Sequence, residues 1–206
     1  MKLQIAFDLL ELDKALLIAH EIEDYTDILE VGSLLIYKYG DTAVKQFRQS
    51  FPNKIILADA KIADRGKEVV TIFAQAGADW VTVMAGTGRN VIHTACATAH
   101  DLGKKVMLDL LDTSSLGQSA LEAKSLGVDA LLFHKPSDDD AQLTFLDRWD
   151  MVRENTQLPI FISAPITREN IHELIAINPT GIIISKAITN ADNPQEEARY
   201  FHKLIV

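Results

Sequence analysis

Residues 54–84 read KIILADAKIADRGKEVVTIFAQAGADWVTVM, and this stretch decides the fold. It opens on a short β-rich apolar run (Lys54–Ala58), continues through an amphipathic segment at helical spacing (Lys67–Gln75) and closes on a second apolar run (Trp80–Met84). The joint Ala76-Gly77-Ala78-Asp79 puts a glycine where a helix has to stop and the chain turn into a strand. The same joint recurs as Leu126-Gly127-Val128-Asp129. The unit is strand–helix–strand. Its strands are unbroken apolar runs rather than alternations, as expected of parallel strands covered on both faces.

The pattern extends in both directions. Further strand-like runs are Leu3–Phe7, Asp27–Val31, Lys105–Leu108, Ala130–Phe133, Pro159–Ile162 and Gly181–Ile184, which makes eight at an average repeat of about 26 residues. Helical spacing also marks Glu11–Glu23, Thr42–Gln49, Val91–Ala99, Ser119–Ser125, Glu169–Ala176 and Gln195–Leu204. No proline-rich, serine-rich or low-complexity linker interrupts the series. Eight successive units predict an α/β fold, a single (β/α)8 TIM barrel over residues 1–206. The rival is an open doubly wound sheet, whose dinucleotide-binding form carries a glycine fingerprint after its first strand. Here that strand ends in Asp8-Leu9-Leu10, without glycine, and the barrel is favoured.

Composition narrows the function. A chain of 206 residues that is 48% hydrophobic and 24% charged folds around a core and is not disordered. A single cysteine excludes a disulfide framework and a cysteine-based zinc site, and suits a cytoplasmic protein. No apolar run approaches the roughly 18 residues of a membrane span, and the N-terminus turns acidic too early for a signal peptide. A net charge of −9 argues against a nucleic-acid partner, and an anionic substrate would need a local lysine, cation or helix N-terminus.

A barrel carries its reactive groups at the C-terminal ends of its strands. Read in order, those ends hold Asp8, Glu30, Asp59 with Lys61, Asp109 and His134. A carboxylate there is a poor core residue, because burying it unpaired costs several kcal/mol. One of them alone, such as Asp8, would serve equally as a helix N-cap; four with a lysine and a histidine read as a site. Strand alternation puts Asp59 and Lys61 on one face, pointing into the barrel mouth. A lysine between carboxylates stays protonated and holds negative charge developing on a substrate oxygen. The other reading of that pair is a surface salt bridge worth about 0–1 kcal/mol. His134 is a candidate base near neutral pH. The other five histidines (His20, His93, His100, His172 and His202) fall in helix-like segments and read as structural or exposed.

Asp59-x-Lys61-x-x-Asp64 resembles the D-x-K-x-x-D signature of the orotidine-phosphate decarboxylase suprafamily. That group includes 3-hexulose-6-phosphate synthases and 3-keto-L-gulonate-6-phosphate decarboxylases. The likeness runs through Met1–Asp8, Ile28–Ser33, the signature, Gly77–Val83, Val106–Asp109, His134 and Ala187-Ile188-Thr189. It implies a (β/α)8 barrel working as a homodimer with a shared active site, in which Asp64 reaches the neighbouring subunit's site. It also implies a magnesium ion and a cis-enediolate on a phosphorylated sugar. Glu30 and Asp59 would then be magnesium ligands, while Asp8 and Lys61 would hydrogen-bond the substrate.

Details lean toward the synthases, which condense formaldehyde with ribulose 5-phosphate. The fifth strand ends in Asp109 where the decarboxylases have Glu, their arginine in H-R-S-R-D is Ser137 here, and their G-R-x-I-T reads Ser185-Lys186-Ala187-Ile188-Thr189. The decarboxylase remains the alternative. Orotidine-phosphate decarboxylase itself fits less well, because Asp64 is followed by Arg65-Gly66-Lys67 rather than I-x-x-T. The main departure follows the seventh strand, where the family's A-G-G-I supplies backbone N–H groups to phosphate. Here the run is Ser163-Ala164-Pro165-Ile166-Thr167, and Pro165 has no N–H to give. Ser163, Thr167 and Lys186 are the candidates to replace the lost contact, and a non-catalytic sugar-phosphate-binding barrel is a further alternative. Asp138-Asp139-Asp140 reads as a solvated helix start.

Overall fold

Each apolar run becomes a strand because both of its faces meet a hydrophobic layer. The strands are β1 (Lys2–Phe7), β2 (Ile28–Val31), β3 (Ile55–Ile62), β4 (Trp80–Met84), β5 (Lys105–Asp109), β6 (Ala130–His134), β7 (Ile160–Ser163) and β8 (Gly181–Ile184). In the computed structural model, which describes residues 1–135 and 148–205, they pair in parallel in chain order, and β8 closes onto β1. Leu3, Ile5, Leu29, Val81 and Ile162 point outward and are covered by helices. The opposite row fills the barrel with Ala6, Ile28, Leu57, Trp80, Met107, Leu132, Phe161 and Ile183.

Two residues further along each inward row, every strand changes character. The eight positions are Asp8, Glu30, Asp59, Thr82, Asp109, His134, Ser163 and Ser185. The period of two puts them on the inner face, near the C-terminal ends of the strands. An apolar plug therefore lies directly beneath a polar ring, which is the floor of the candidate site.

The helices are α1 (Leu12–Ile22), α2 (Ser33–Tyr39), α3 (Asp41–Ser50), α4 (Gly66–Ala76), α5 (Arg89–Asp101), α6 (Leu116–Ala123), α7 (Trp149–Arg153), α8 (Ile171–Ala176), α9 (Lys186–Thr189) and α10 (Pro194–Ile205). Spacing alone marks only the second of the two helices between β2 and β3. The first, SLLIYKY, is a mostly apolar run of seven residues, too short to show a period, and Gly40 at φ +59° separates it from α3. Helical spacing also left the sixth unit without a helix, which α7 supplies, and it did not mark the short α9. None of the described helices is long and apolar enough to cross a membrane.

The two glycine joints behave as the sequence predicts. Gly77 and Gly127 sit at φ +103° and +91°. Around them Ala78 N–H reaches Phe73 O and Val128 N–H reaches Ala123 O, bonds that close the end of each helical segment. A side chain at Gly77 would also start 2.6 Å from Arg48 Cγ.

The aspartates that follow have a use the sequence did not reveal. Asp79 Oδ2 accepts the Ile56 N–H (3.0 Å) and Asp129 Oδ2 the Val106 N–H (2.8 Å). Asp27 takes the Leu3 N–H (2.9 Å), and Thr180 Oγ1 takes the Ile160 N–H (3.1 Å). The residue entering each even strand thus clips the start of the odd strand before it, satisfying a backbone donor at the bottom of the barrel. Replacing Asp129 with Ala leaves the Val106 N–H without this partner and should lower unfolding free energy by about 1–3 kcal/mol, with Asn, which keeps an acceptor, losing less. Urea denaturation of the two variants checks both the loss and the order.

Candidate active site

The polar ring is distorted at one point. Ala58 pairs with Val81 and Ile62 with Val83, so three residues of β3 (59 to 61) face the single Thr82 of β4. Lys61 takes φ +43°, a left-handed conformation that costs a side-chain-bearing residue about 1–3 kcal/mol. Simple alternation, by which the sequence expects Asp59 and Lys61 to share a face, is therefore broken here. The two side chains still meet, because the bulge turns Lys61 back toward the mouth. Lys61 N–H donates to Thr82 Oγ1 (2.9 Å), and that hydroxyl donates to Asp59 Oδ1 (2.8 Å).

The Lys61 ammonium lies 3.2 Å from Asp59 Oδ2 and 3.0 Å from Asp109 Oδ2. Burial by itself would lower its pKa, but the two carboxylates outweigh burial and hold it above the ordinary lysine value. Asp109 is fully buried and does not line the cavity; it stands behind Lys61 and His134. Burial would raise its pKa, but the hydrogen bond and charge of His134, with Lys61, keep it below the usual carboxylate value. His134 Nδ1 is 3.0 Å from Asp109 Oδ2. An ionised carboxylate only accepts, so Nδ1 carries the hydrogen and Nε2 is left free on the other side of the ring.

Glu30 and Asp8 complete the carboxylate side. Burial first, then the charges of Asp59 and Asp8, push Glu30 well above its ordinary pKa. Burial and Asp59 likewise raise Asp8. Asp8 does not cap a helix: α1 begins at Leu12 with Glu11 before it, and Asp8 lines the cavity instead. Gly32 makes that possible, since a side chain there would start 2.3 Å from Asp8 Oδ1. Gln4, buried inside the barrel, donates to Glu30 Oε2 while its own amide oxygen has no partner.

Crowded carboxylates beside an unpaired amide oxygen suit a hard divalent cation, which prefers oxygen donors. Among the described residues no group of three or more His, Cys, Asp and Glu is arranged to hold a metal alone. An ion between Glu30 and Asp59 would therefore complete its shell with water or substrate oxygens, as magnesium commonly does.

The cavity above the ring measures about 820 Å³. Asp8, Glu30, Asp59, Lys61 and His134 line it together, and Ser163, Thr167 and Lys186 line it too. The β7–α8 loop is held by Asn170, whose amide donates to Pro165 O (2.9 Å) while its oxygen accepts the Thr167 N–H (2.8 Å). Arg168, on the same lining, is gripped through two nitrogens by Glu197 and stacks 4.3 Å over Tyr200. Asp64 is not brought in: it is exposed, lies outside the cavity lining and accepts the Arg65 N–H (2.8 Å). Ser137 and Asp138 to Asp140 fall outside the described residues. Of the other histidines, His100 pairs with Asp129 and His202 with Tyr25 O, away from the cavity.

The sequence reading missed Thr82, Ser33, Gln4 and Gly32. Ser33 Oγ donates to Asp59 Oδ2 (2.9 Å) from the first turn of α2, the helix whose period was too short to see. Gln4 and Thr82 did carry a signal: each is a polar residue inside an otherwise apolar strand.

Comparison with known proteins adds three findings. The profile of the family described as orotidine 5'-phosphate decarboxylase / HUMPS matches residues 1–201. A 3-hexulose-6-phosphate synthase from Staphylococcus aureus is 32% identical over 203 residues, 97% of this chain and 96% of that protein. Among solved structures, 3-hexulose-6-phosphate synthase from Salmonella typhimurium superposes with a TM-score of 0.94 at 30% identity, covering 100% of this chain and 98% of that one. The 3-keto-L-gulonate-6-phosphate decarboxylase of Vibrio cholerae gives 0.84 at 26% identity over 99% and 96%.

The raised pKa of Glu30 has a measurable sign. The folded state binds this proton more tightly than the unfolded state, so the stabilisation is complete below the ordinary carboxylate range and is lost as pH rises toward the elevated folded value. Glu30→Gln cannot ionise. In EDTA it should match the parent near about pH 5 and be more stable at about pH 8. Denaturation curves at both pH values test this; parallel pH slopes for the two proteins would refute it.

Proposed function

The chain belongs to the orotidine 5'-phosphate decarboxylase / HUMPS family, and from that premise we propose that it is a lyase joining formaldehyde to ribulose 5-phosphate, the reaction of a 3-hexulose-6-phosphate synthase. One observation carries the reading: Lys61 and His134 share the buried carboxylate of Asp109 at the mouth of a cavity whose other wall is acidic. That pairing puts a fixed cation beside a base whose outer nitrogen is free.

In the proposed cycle His134 Nε2 removes a proton from the carbon next to the substrate ketone. The C–H electron pair moves onto the ketone oxygen, giving the enediolate, and the Lys61 ammonium holds the charge that develops there. Asp109 keeps the proton on Nδ1 and offsets the positive charge His134 acquires. The enediolate carbon then attacks formaldehyde as the ketone re-forms, a carbon–carbon bond forms, the C=O pair of the aldehyde moves onto its oxygen, and that oxygen takes the proton held on His134 Nε2. Asp8 hydrogen-bonds the sugar hydroxyls, and Lys186 with the Ser163 and Thr167 hydroxyls receives the phosphate. Glu30 and Asp59 would hold a magnesium ion, which when bound would supply Lewis-acid polarisation of the substrate oxygens.

The decarboxylase reading keeps one support, the likeness to the Vibrio cholerae enzyme. It would use the same residues, with carbon dioxide leaving the carbon to which formaldehyde adds. A paired assay separates the two: ribulose 5-phosphate with formaldehyde, and 3-keto-L-gulonate 6-phosphate alone, each with magnesium. Turnover is expected in the first arm; turnover only in the second would transfer the assignment to the decarboxylase. Lys61→Ala should reduce the rate at least about a thousandfold with the fold intact, and EDTA should silence the parent. Near-parental rates in the variant would exclude the site described, and metal-independent turnover would exclude magnesium.

Asp64, exposed and outside its own cavity, is proposed to complete the site of a second copy in a homodimer. Neither Asp64→Ala nor Lys61→Ala should be active alone. Refolded as a mixture, they should recover about a quarter of parental activity, because half the dimers are mixed and each holds one intact site. No recovery would place Asp64 outside catalysis across the interface.

A further inference from the structure

We propose that Thr82 is a positioning residue for the Lys61–Asp59 pair, whose hydroxyl sets where the cation and the carboxylate stand without touching substrate. Thr82 is buried at 1% exposure and does not line the cavity. Three residues of β3 are looped out against it, and the hydrogen bond that holds the loop is made by its side chain. An amide N–H can only donate, so Thr82 Oγ1 accepts from Lys61 and its own proton goes to Asp59 Oδ1. The Lys61 ammonium returns to the other oxygen of the same carboxylate at 3.2 Å.

The result is a closed ring: Lys61 backbone to Thr82, Thr82 to Asp59, Asp59 to the Lys61 side chain. It joins the backbone of Lys61, held at φ +43°, to the direction of its side chain. Ser33 supports Asp59 at Oδ2 (2.9 Å), whereas among the described residues it is Thr82 whose side chain hydrogen-bonds both Asp59 and the Lys61 backbone. In the ring of eight polar positions, its role is to shape the neighbouring strand that carries Asp59 and Lys61.

Two substitutions separate this role from packing, because they make opposite predictions. Thr82→Val keeps the volume and removes the hydroxyl; Thr82→Ser keeps the hydroxyl and removes a methyl group. As a positioning residue, Thr82 requires that the valine variant lose about a hundredfold in kcat with KM little changed, and that the serine variant stay within about threefold of the parent. If Thr82 only fills space, valine is tolerated and serine is the damaging change, which overturns the proposal. Thr82→Ala removes the hydroxyl without new contacts and repeats the test if the valine variant does not accumulate.

The kinetic arm rests on the proposed function, so a second arm does not. A crystal structure of the hydroxyl-less variant should show Lys61 out of the left-handed region, or its ammonium beyond 4 Å from Asp59, the limit of an ion pair. Unchanged Lys61 geometry refutes the role of Thr82 whatever the enzyme turns over. A parent that fails with ribulose 5-phosphate and formaldehyde refutes the functional reading, and this arm still decides Thr82.

Discussion

A partly buried ammonium group organises the site. Taking Lys61 out of water is unfavourable, and the two carboxylates at 3.0 and 3.2 Å make the arrangement stable only as a set. Removing either partner would leave a charge uncompensated in a poorly solvated place. The demands of that lysine radiate outward. Asp109 is held ionised, which fixes the hydrogen on His134 Nδ1, and the Lys61 N–H donates to Thr82 Oγ1, which turns the Thr82 hydroxyl proton to Asp59. Four side chains on four strands thereby acquire one protonation pattern.

The barrel supplies the rigidity this pattern needs. Side chains on adjacent strands are held at fixed spacing by the backbone ladder, and the apolar plug beneath them excludes water from below. The same walls create an imbalance on the opposite side of the mouth, where Asp8, Glu30 and Asp59 repel one another. Lys61 is already shared between Asp59 and Asp109 and is only a weak counterweight for Glu30. The cavity is therefore divided into a neutralised half, with a cation and a base, and a half that remains short of positive charge. That division suits a reaction in which negative charge develops on neighbouring oxygens of one substrate.

The opposite rim of the mouth is built differently. In the β7–α8 loop Pro165 offers no N–H, and Asn170 ties the loop from within, occupying the Thr167 N–H. Ser163, Thr167 and Lys186 line the cavity there, together with Arg168 and Glu197. A lysine is a point charge with rotational freedom, whereas a backbone cradle is directional.

The eight strands, the longer helices between them, the closure into a barrel and the acidic strand ends were legible from local sequence, because each depends on short-range periodicity and on the expense of burying charge. Gly77 and Gly127 announced two joints, and Asp8, Glu30, Asp59, Asp109 and His134 announced the mouth. Hydrogen bonds between residues distant in the chain left no such trace. Thr82 lies 21 positions from Lys61, Gln4 lies 26 from Glu30, and the aspartates of the joints clip strands 23 positions away. The bulge in β3 was likewise invisible: DAK read alone is two steps of a strand, and only the register imposed by β4 turns Lys61 into a left-handed residue. Sequence alone determined which groups gather at the mouth, because hydrophobic periodicity sorts side chains to faces. The tertiary structure decided which atoms of those groups meet, because that depends on how neighbouring strands are aligned.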